Sequence, residues 1–97
     1  MAIFIVESPI PVMGVQMAKL IPKQRDYVED MFQKGFLLMY AVTENLDKWW
    51  CSVEAENEDQ VWEFLSQMPI IDFLTPTVHS LMFYNSADQM IPPISLN

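Results

Sequence analysis

The chain has 97 residues, 52% of them hydrophobic, and sets five lysines and arginines against thirteen aspartates and glutamates for a formal charge of −8. That length makes one domain with an adequate core and little to spare. Such an acidic surface repels phosphate backbones and anionic headgroups, which argues against nucleic acid and against a membrane surface, and no stretch nears the ~18 apolar residues of a membrane span.

Ala2–Ser8 reads as a strand, ended by Pro9 and Pro11. Gln16–Lys34 has helical spacing, with Met17, Leu20, Ile21, Val28, Met31 and Phe32 on one stripe. Pro22 either opens the main helix at its first turn or kinks a longer one, because an interior proline removes a hydrogen bond. Lys34 in the last turn and Gly35 after it are a stop signal. Phe36–Thr43 is the second strand, Glu44–Asp47 a hairpin-like turn, and Lys48–Ala55 the third strand. Asn57 with Gln60 forms a capping pair, and Glu58 and Asp59 favour the positive end of the helix they open. That helix turns Val61, Phe64, Leu65 and Met68 inward and stops before Pro69. Thr77–Tyr84 is a fourth strand, followed by an apolar tail.

The order β-α-β-β-α-β predicts an α+β fold, a ferredoxin-like sandwich of a four-stranded antiparallel sheet with two helices on one face. Residues 1–84 make the domain. Residues 85–97 make a C-terminal tail whose Ile91, Ile94 and Leu96 are too apolar for a solvated end and are expected to pack on a neighbouring subunit.

Ala2–Val6 and Phe36–Val42 are apolar at nearly every position, so both of their faces ask for cover. Two helices shelter one face. A second copy of the chain is expected on the other, giving a homodimer with a pocket between sheet and partner. In the third strand Trp49, Cys51 and Val53 suit the face under the helices. Trp50, Ser52 and Glu54 alternate with them and suit a ligand-binding lining. In the second strand simple alternation puts Phe36, Leu38, Tyr40 and Val42 on one face and Leu37, Met39, Ala41 and Thr43 on the other.

The run Trp62–Leu74, with Gln67-Met68-Pro69-Ile70 ending a helix before Phe73, then Val78, Leu81 and Asn85-Ser86, resembles the muconolactone isomerase-like family. The end of the first helix at Gln33-Lys34-Gly35 is similar too. The resemblance implies a dimeric α/β barrel, often assembled further, and a proton shift in a small unsaturated lactone that carries a carboxylate. The family's cations on the first two strands have no counterpart here: the first strand carries Glu7 and Phe36–Val42 no charge. A different, less charged substrate is therefore expected.

Moving a proton between carbons needs a base, an acid and donors for the developing enolate. Glu7 is a candidate base whose alternative is a solvated or paired strand end. His79, the single histidine, is a candidate acid or base, or else a residue pointing outward between two core positions. Tyr40 sits mid-strand in an apolar run, so its hydroxyl needs a partner, either a ligand oxygen or a backbone group. Arg25 and Lys48 are candidate cations, with surface ion pairs as the plainer alternative.

Cys51 is the single cysteine, the scattered carboxylates have no ligand spacing, and the two glycines build no phosphate loop. No metal and no cofactor are expected. The opening residues carry no basic leader, so a cytoplasmic protein is expected. Three functions fit: a cofactor-free isomerase or lyase acting on an apolar unsaturated molecule, a non-catalytic binder of such a molecule, or a monooxygenase-type barrel in which His79 alone is available to hold a haem.

Overall fold

The computed structural model describes residues 1–86. The elements run β1 (Ala2–Pro9), α1 (Val15–Ala18), α2 (Ile21–Gln33), β2 (Leu37–Val42), β3 (Lys48–Ala55), α3 (Glu58–Ser66), a 3-10 turn at Ile71–Phe73 and β4 (Thr77–Ser80). The strands form one sheet in the order β2-β3-β1-β4, with every pairing antiparallel. This is the ferredoxin-like arrangement. The C-terminal tail with Ile91, Ile94 and Leu96 lies outside the described residues.

The long helical segment divides at Lys19-Leu20, so a four-residue α1 precedes a thirteen-residue α2. Pro22 falls in the first turn of α2, where a missing N–H costs nothing. At the other end Gly35 adopts φ 78°. The Gly35 N–H reaches the Phe32 carbonyl and the Phe36 N–H the Met31 carbonyl, which satisfies the last helical carbonyls and aims the chain into β2. The start of α3 is fixed by side chains. Asn57 Oδ1 accepts from the Gln60 N–H at 3.1 Å, and Gln60 Oε1 reaches back to the Glu56 N–H at 2.8 Å.

Phe4 and Val6 from β1, Trp49, Cys51 and Val53 from β3, and Val61, Phe64 and Leu65 from α3 build the core between sheet and helices. Leu65 is completely buried, and truncating such a side chain to alanine costs about 2–5 kcal/mol. Ser8 lies on the same face, also buried. Its hydroxyl accepts from the Thr75 N–H at 3.0 Å and donates to the Pro9 carbonyl at 2.8 Å, tying the last loop to the sheet.

The second strand departs from simple alternation. Leu37 pairs with Val53 but Met39 pairs with Ser52, so Leu38 is an extra residue in a β-bulge. Past the bulge the faces exchange. Leu37 and Tyr40 therefore share the helix-covered face, and Met39 and Ala41 share the open one. The alternation expected from sequence had put Leu37 and Tyr40 on opposite sides. The hairpin that follows is held by Thr43, whose hydroxyl oxygen accepts from the Asp47 and Lys48 N–H groups while its proton goes to Asp47 Oδ1. Leu46 takes φ 61° there, a conformation uncommon for a branched side chain.

β4 ends at Ser80, four residues short of the expected Tyr84. The Leu81 N–H still bonds the Ile3 carbonyl at 3.0 Å. The chain then crosses the open face far enough to bring the Tyr84 hydroxyl 3.5 Å from that of Ser52. No helix among the described residues is long and apolar enough to cross a membrane.

Candidate functional site

Between α1, α2 and the covered face of the sheet lies a cavity of about 660 Å³. Pockets for small ligands run from about 300 to 1,000 Å³. The apolar lining comes from Met17, Ile21, Val28 and Phe32 on the helices and from Val42 and Leu46 at the β2–β3 hairpin. It lies on the helix side of the sheet, whereas the sequence reading looked for a pocket on the partner side.

Polar side chains enter this cavity from both walls. Tyr40 and Trp49 come from the sheet, their rings stacked with centroids 5.5 Å apart at 16°. Gln24, Arg25 and Glu29 come from α2. Gln24 is 4% exposed and fully engaged: its amide donates to the Tyr40 hydroxyl oxygen at 3.2 Å, and its carbonyl oxygen accepts from the Ile70 N–H at 3.4 Å. Burial raises the Tyr40 pKa, so its proton stays in place. Trp49 is 1% exposed, and its indole N–H has no hydrogen-bond partner among the described residues. A buried donor left unmatched costs ~1–3 kcal/mol, and such a group calls for a reason.

Arg25 and Glu29 are exposed at the edge of the cavity. The ion pairs of the described residues are Asp30–Lys34, Glu7–Lys48 and Glu7–His79. Neither Arg25 nor Glu29 is in one. The cavity edge thus offers one cation and one carboxylate, and the walls offer donors.

The remaining candidates sit on the opposite face. Glu7 accepts from Lys48 Nζ at 3.1 Å on one oxygen, and its other oxygen lies 3.0 Å from His79 Nε2. The Lys48 contact first, and the His79 contact after it, hold the Glu7 carboxyl below its ordinary range. Lys48 also stands 5.2 Å from the centre of the Trp50 ring, on which a cation is attracted. Ser52 is fully buried near Tyr84, and Glu54 is half-buried beside Ile3. The structure therefore separates the eight sequence candidates. Glu7, Lys48, His79, Trp50, Ser52 and Glu54 share the open face, while Tyr40 and Arg25 reach the cavity. Among the described residues no group of three His, Cys, Asp or Glu side chains is placed to hold a metal ion.

Trp49, Gln24 and Glu29 were not singled out as site residues by sequence reasoning. Trp49 looked like core, which it also is. A helical glutamine and glutamate look like any solvated pair until the bulge turns Tyr40 towards them.

No family model matches the chain, and no curated protein is detectably similar to it in sequence. Solved structures do match. The 5-chloro-2-hydroxyhydroquinone dehydrochlorinase of Burkholderia phenoliruptrix AC1100, in complex with 2,5-dihydroxybenzoquinone, superposes with a TM-score of 0.67 at 14% identity, over 90% of this chain and 97% of its own. A muconolactone isomerase gives 0.67 at 12% identity over 88% and 93%. An antibiotic biosynthesis monooxygenase gives 0.53 at 14% identity over 88% and 100%. The shared property is the fold. At these identities one scaffold carries many activities, and the chemistry has to come from the site.

Proposed function

We propose that this chain is a small proton-transferring isomerase or lyase that works without a cofactor on a flat, unsaturated ring bearing oxygen, taken into the cavity beneath α2. The observation that carries the reading is a largely apolar cavity of about 660 Å³ whose sheet wall is formed by Tyr40 and Trp49, the Trp49 indole N–H being buried within that wall with no partner among the described residues. A ligand oxygen that reaches this N–H by a small shift of the wall gives the donor a partner. The muconolactone isomerase and the dehydrochlorinase with its bound dihydroxybenzoquinone support a ring substrate by sharing the fold.

In this reading Glu29 takes a proton from a C–H beside the substrate carbonyl. The electron pair moves onto the carbonyl oxygen, where Trp49 and Tyr40 donate to it, and the proton returns to a different carbon. Arg25 offsets the developing charge. The working form in this proposal is a homodimer. Its support is that the helices cover one side of the sheet, while Ile3, Ile5 and Met39 line the other and Phe83 nearby is 75% exposed.

A non-catalytic carrier of the same ligands is the second reading, favoured by the small share of polar groups in the lining. Conversion of 3-cyclohexenone to its conjugated isomer, followed by ultraviolet absorbance, separates the two. Turnover that disappears in Glu29→Gln supports the isomerase. Saturable binding without turnover supports the carrier, and no binding of either cyclohexenone isomer rejects both.

A further inference from the structure

We propose that Gln24 fixes the polarity of the cavity wall, holding Tyr40 as a donor so that the site takes a deprotonated ring oxygen, a phenolate or enolate, in preference to its protonated form. This rests on the reading of the cavity as a small-molecule site and specifies which ligand chemistry it accepts.

The chain of reasoning starts from a backbone group that has no choice. The Ile70 N–H, at the start of the 3-10 turn, is a donor and can only face an acceptor. Gln24 meets it with an oxygen at 3.4 Å, so the other end of the amide, facing Tyr40, is NH2. Turning the amide over would set two donors against each other at Ile70, whose N–H has no other partner among the described residues. With the Gln24 amide donating at 3.2 Å, the Tyr40 oxygen acts as acceptor towards α2 and its own proton is directed elsewhere. Among the described residues no group accepts that proton. Trp49, stacked against Tyr40, adds an N–H that can only donate.

The sheet wall thus holds two donors, the Tyr40 O–H and, buried within the wall, the Trp49 N–H, and neither offers a lone pair to a ligand hydroxyl. A phenolate or enolate oxygen satisfies such a wall fully. A phenol satisfies it in part and finds no acceptor for its own proton on that wall, because Glu29, the carboxylate among the lining residues, stands exposed at the cavity edge on α2. Arg25, in no ion pair among the described residues, is the one cation lining the cavity. Gln24 is in these terms a positioning residue that acts through Tyr40.

The experiment measures the binding of 4-nitrophenol to the full chain across pH 5–9, with nitrobenzene as a size-matched ring that cannot ionise. The yellow phenolate reports its own protonation state. The wild-type protein should bind the phenolate about tenfold more tightly than the phenol, which lowers the bound probe's apparent pKa by about one unit. Gln24→Glu keeps the acceptor for Ile70 but turns the group facing Tyr40 into an acceptor. Tyr40 then offers its lone pairs to the cavity, and the preference should disappear or invert. Tyr40→Phe should lose most of the preference while nitrobenzene affinity stays within about twofold.

Equal binding of phenol and phenolate by the wild type overturns the proposal and leaves the cavity reading standing if nitrobenzene binds. Retention of the full preference in both variants overturns it as well. Failure of all three species to bind overturns the cavity reading and this inference with it.

Discussion

Tyr40 and Trp49 stack 5.5 Å apart on adjacent strands, yet the tyrosine hydroxyl is bonded to Gln24 and the neighbouring indole N–H has no partner among the described residues. The pair is a hydrophobic wall with two donors attached, and the energetics of those donors can be tested separately from those of the rings.

Trp49→Phe keeps a large ring but deletes the N–H. Loss of the bigger ring is offset by relief of the unmatched donor, so urea unfolding should show a change within about 1 kcal/mol. Affinity for 4-nitrophenolate should fall about tenfold, the worth of one hydrogen bond to a charged oxygen. A loss of stability above about 3 kcal/mol would mean that the ring alone matters there.

Glu7 holds a carboxyl below its ordinary range through Lys48 first and His79 second. A depressed carboxyl contributes stability above its unfolded pKa, and that contribution is lost as pH falls through the folded value. Glu7→Gln should therefore be less stable than the wild type at neutral pH, and the two unfolding curves should converge in acid below the usual carboxylate range. A gap that persists unchanged at low pH would assign the effect to packing.

Tyr27 behaves in the opposite sense. Its hydroxyl donates to the Phe64 carbonyl at 2.7 Å, its ring stacks on that of Phe64, and burial pushes its pKa up to about 12. Its contribution is intact below pH 10 and lost as pH rises through about 12. Titration at 295 nm should show two tyrosines, Tyr27 and Tyr40, contributing to a late step, and Tyr27→Phe should remove one of the two contributions. If the late step keeps its full amplitude in Tyr27→Phe, Tyr27 is not among the groups responsible.

Association through the open face should fail when charge is placed there. Ile5 lies between Ser52 and His79 on neighbouring strands of that face. Sedimentation at micromolar concentration should give a dimer for the wild type and a monomer for Ile5→Lys, because the partner would have to bury an unpaired ammonium. A wild-type monomer at that concentration removes the homodimer.

The order of elements was legible because each carries a local signal. Lys48–Ala55 is found as the third strand at the residues expected, Asn57 and Gln60 cap the second long helix, and Gly35 ends the first. The site was much less legible. A one-residue bulge at Leu38 leaves no mark in an unbroken apolar run, yet it decides which face Tyr40 occupies. Without it Tyr40 reads as a partner-facing residue and Gln24 as a solvated helical glutamine. The Glu7–His79 contact joins residues 72 positions apart, and only the β1–β4 register places them together.

Cys51 lies at the centre of the sheet, beneath the helices and fully buried, its thiol pushed up to about 12. An aromatic disulfide reagent such as Ellman's needs both a thiolate and a path to it, and the native fold withholds both. The rate of that reaction counts how often the sheet and its helices part company. One sulfur atom makes the chain its own gauge of opening, readable without a label.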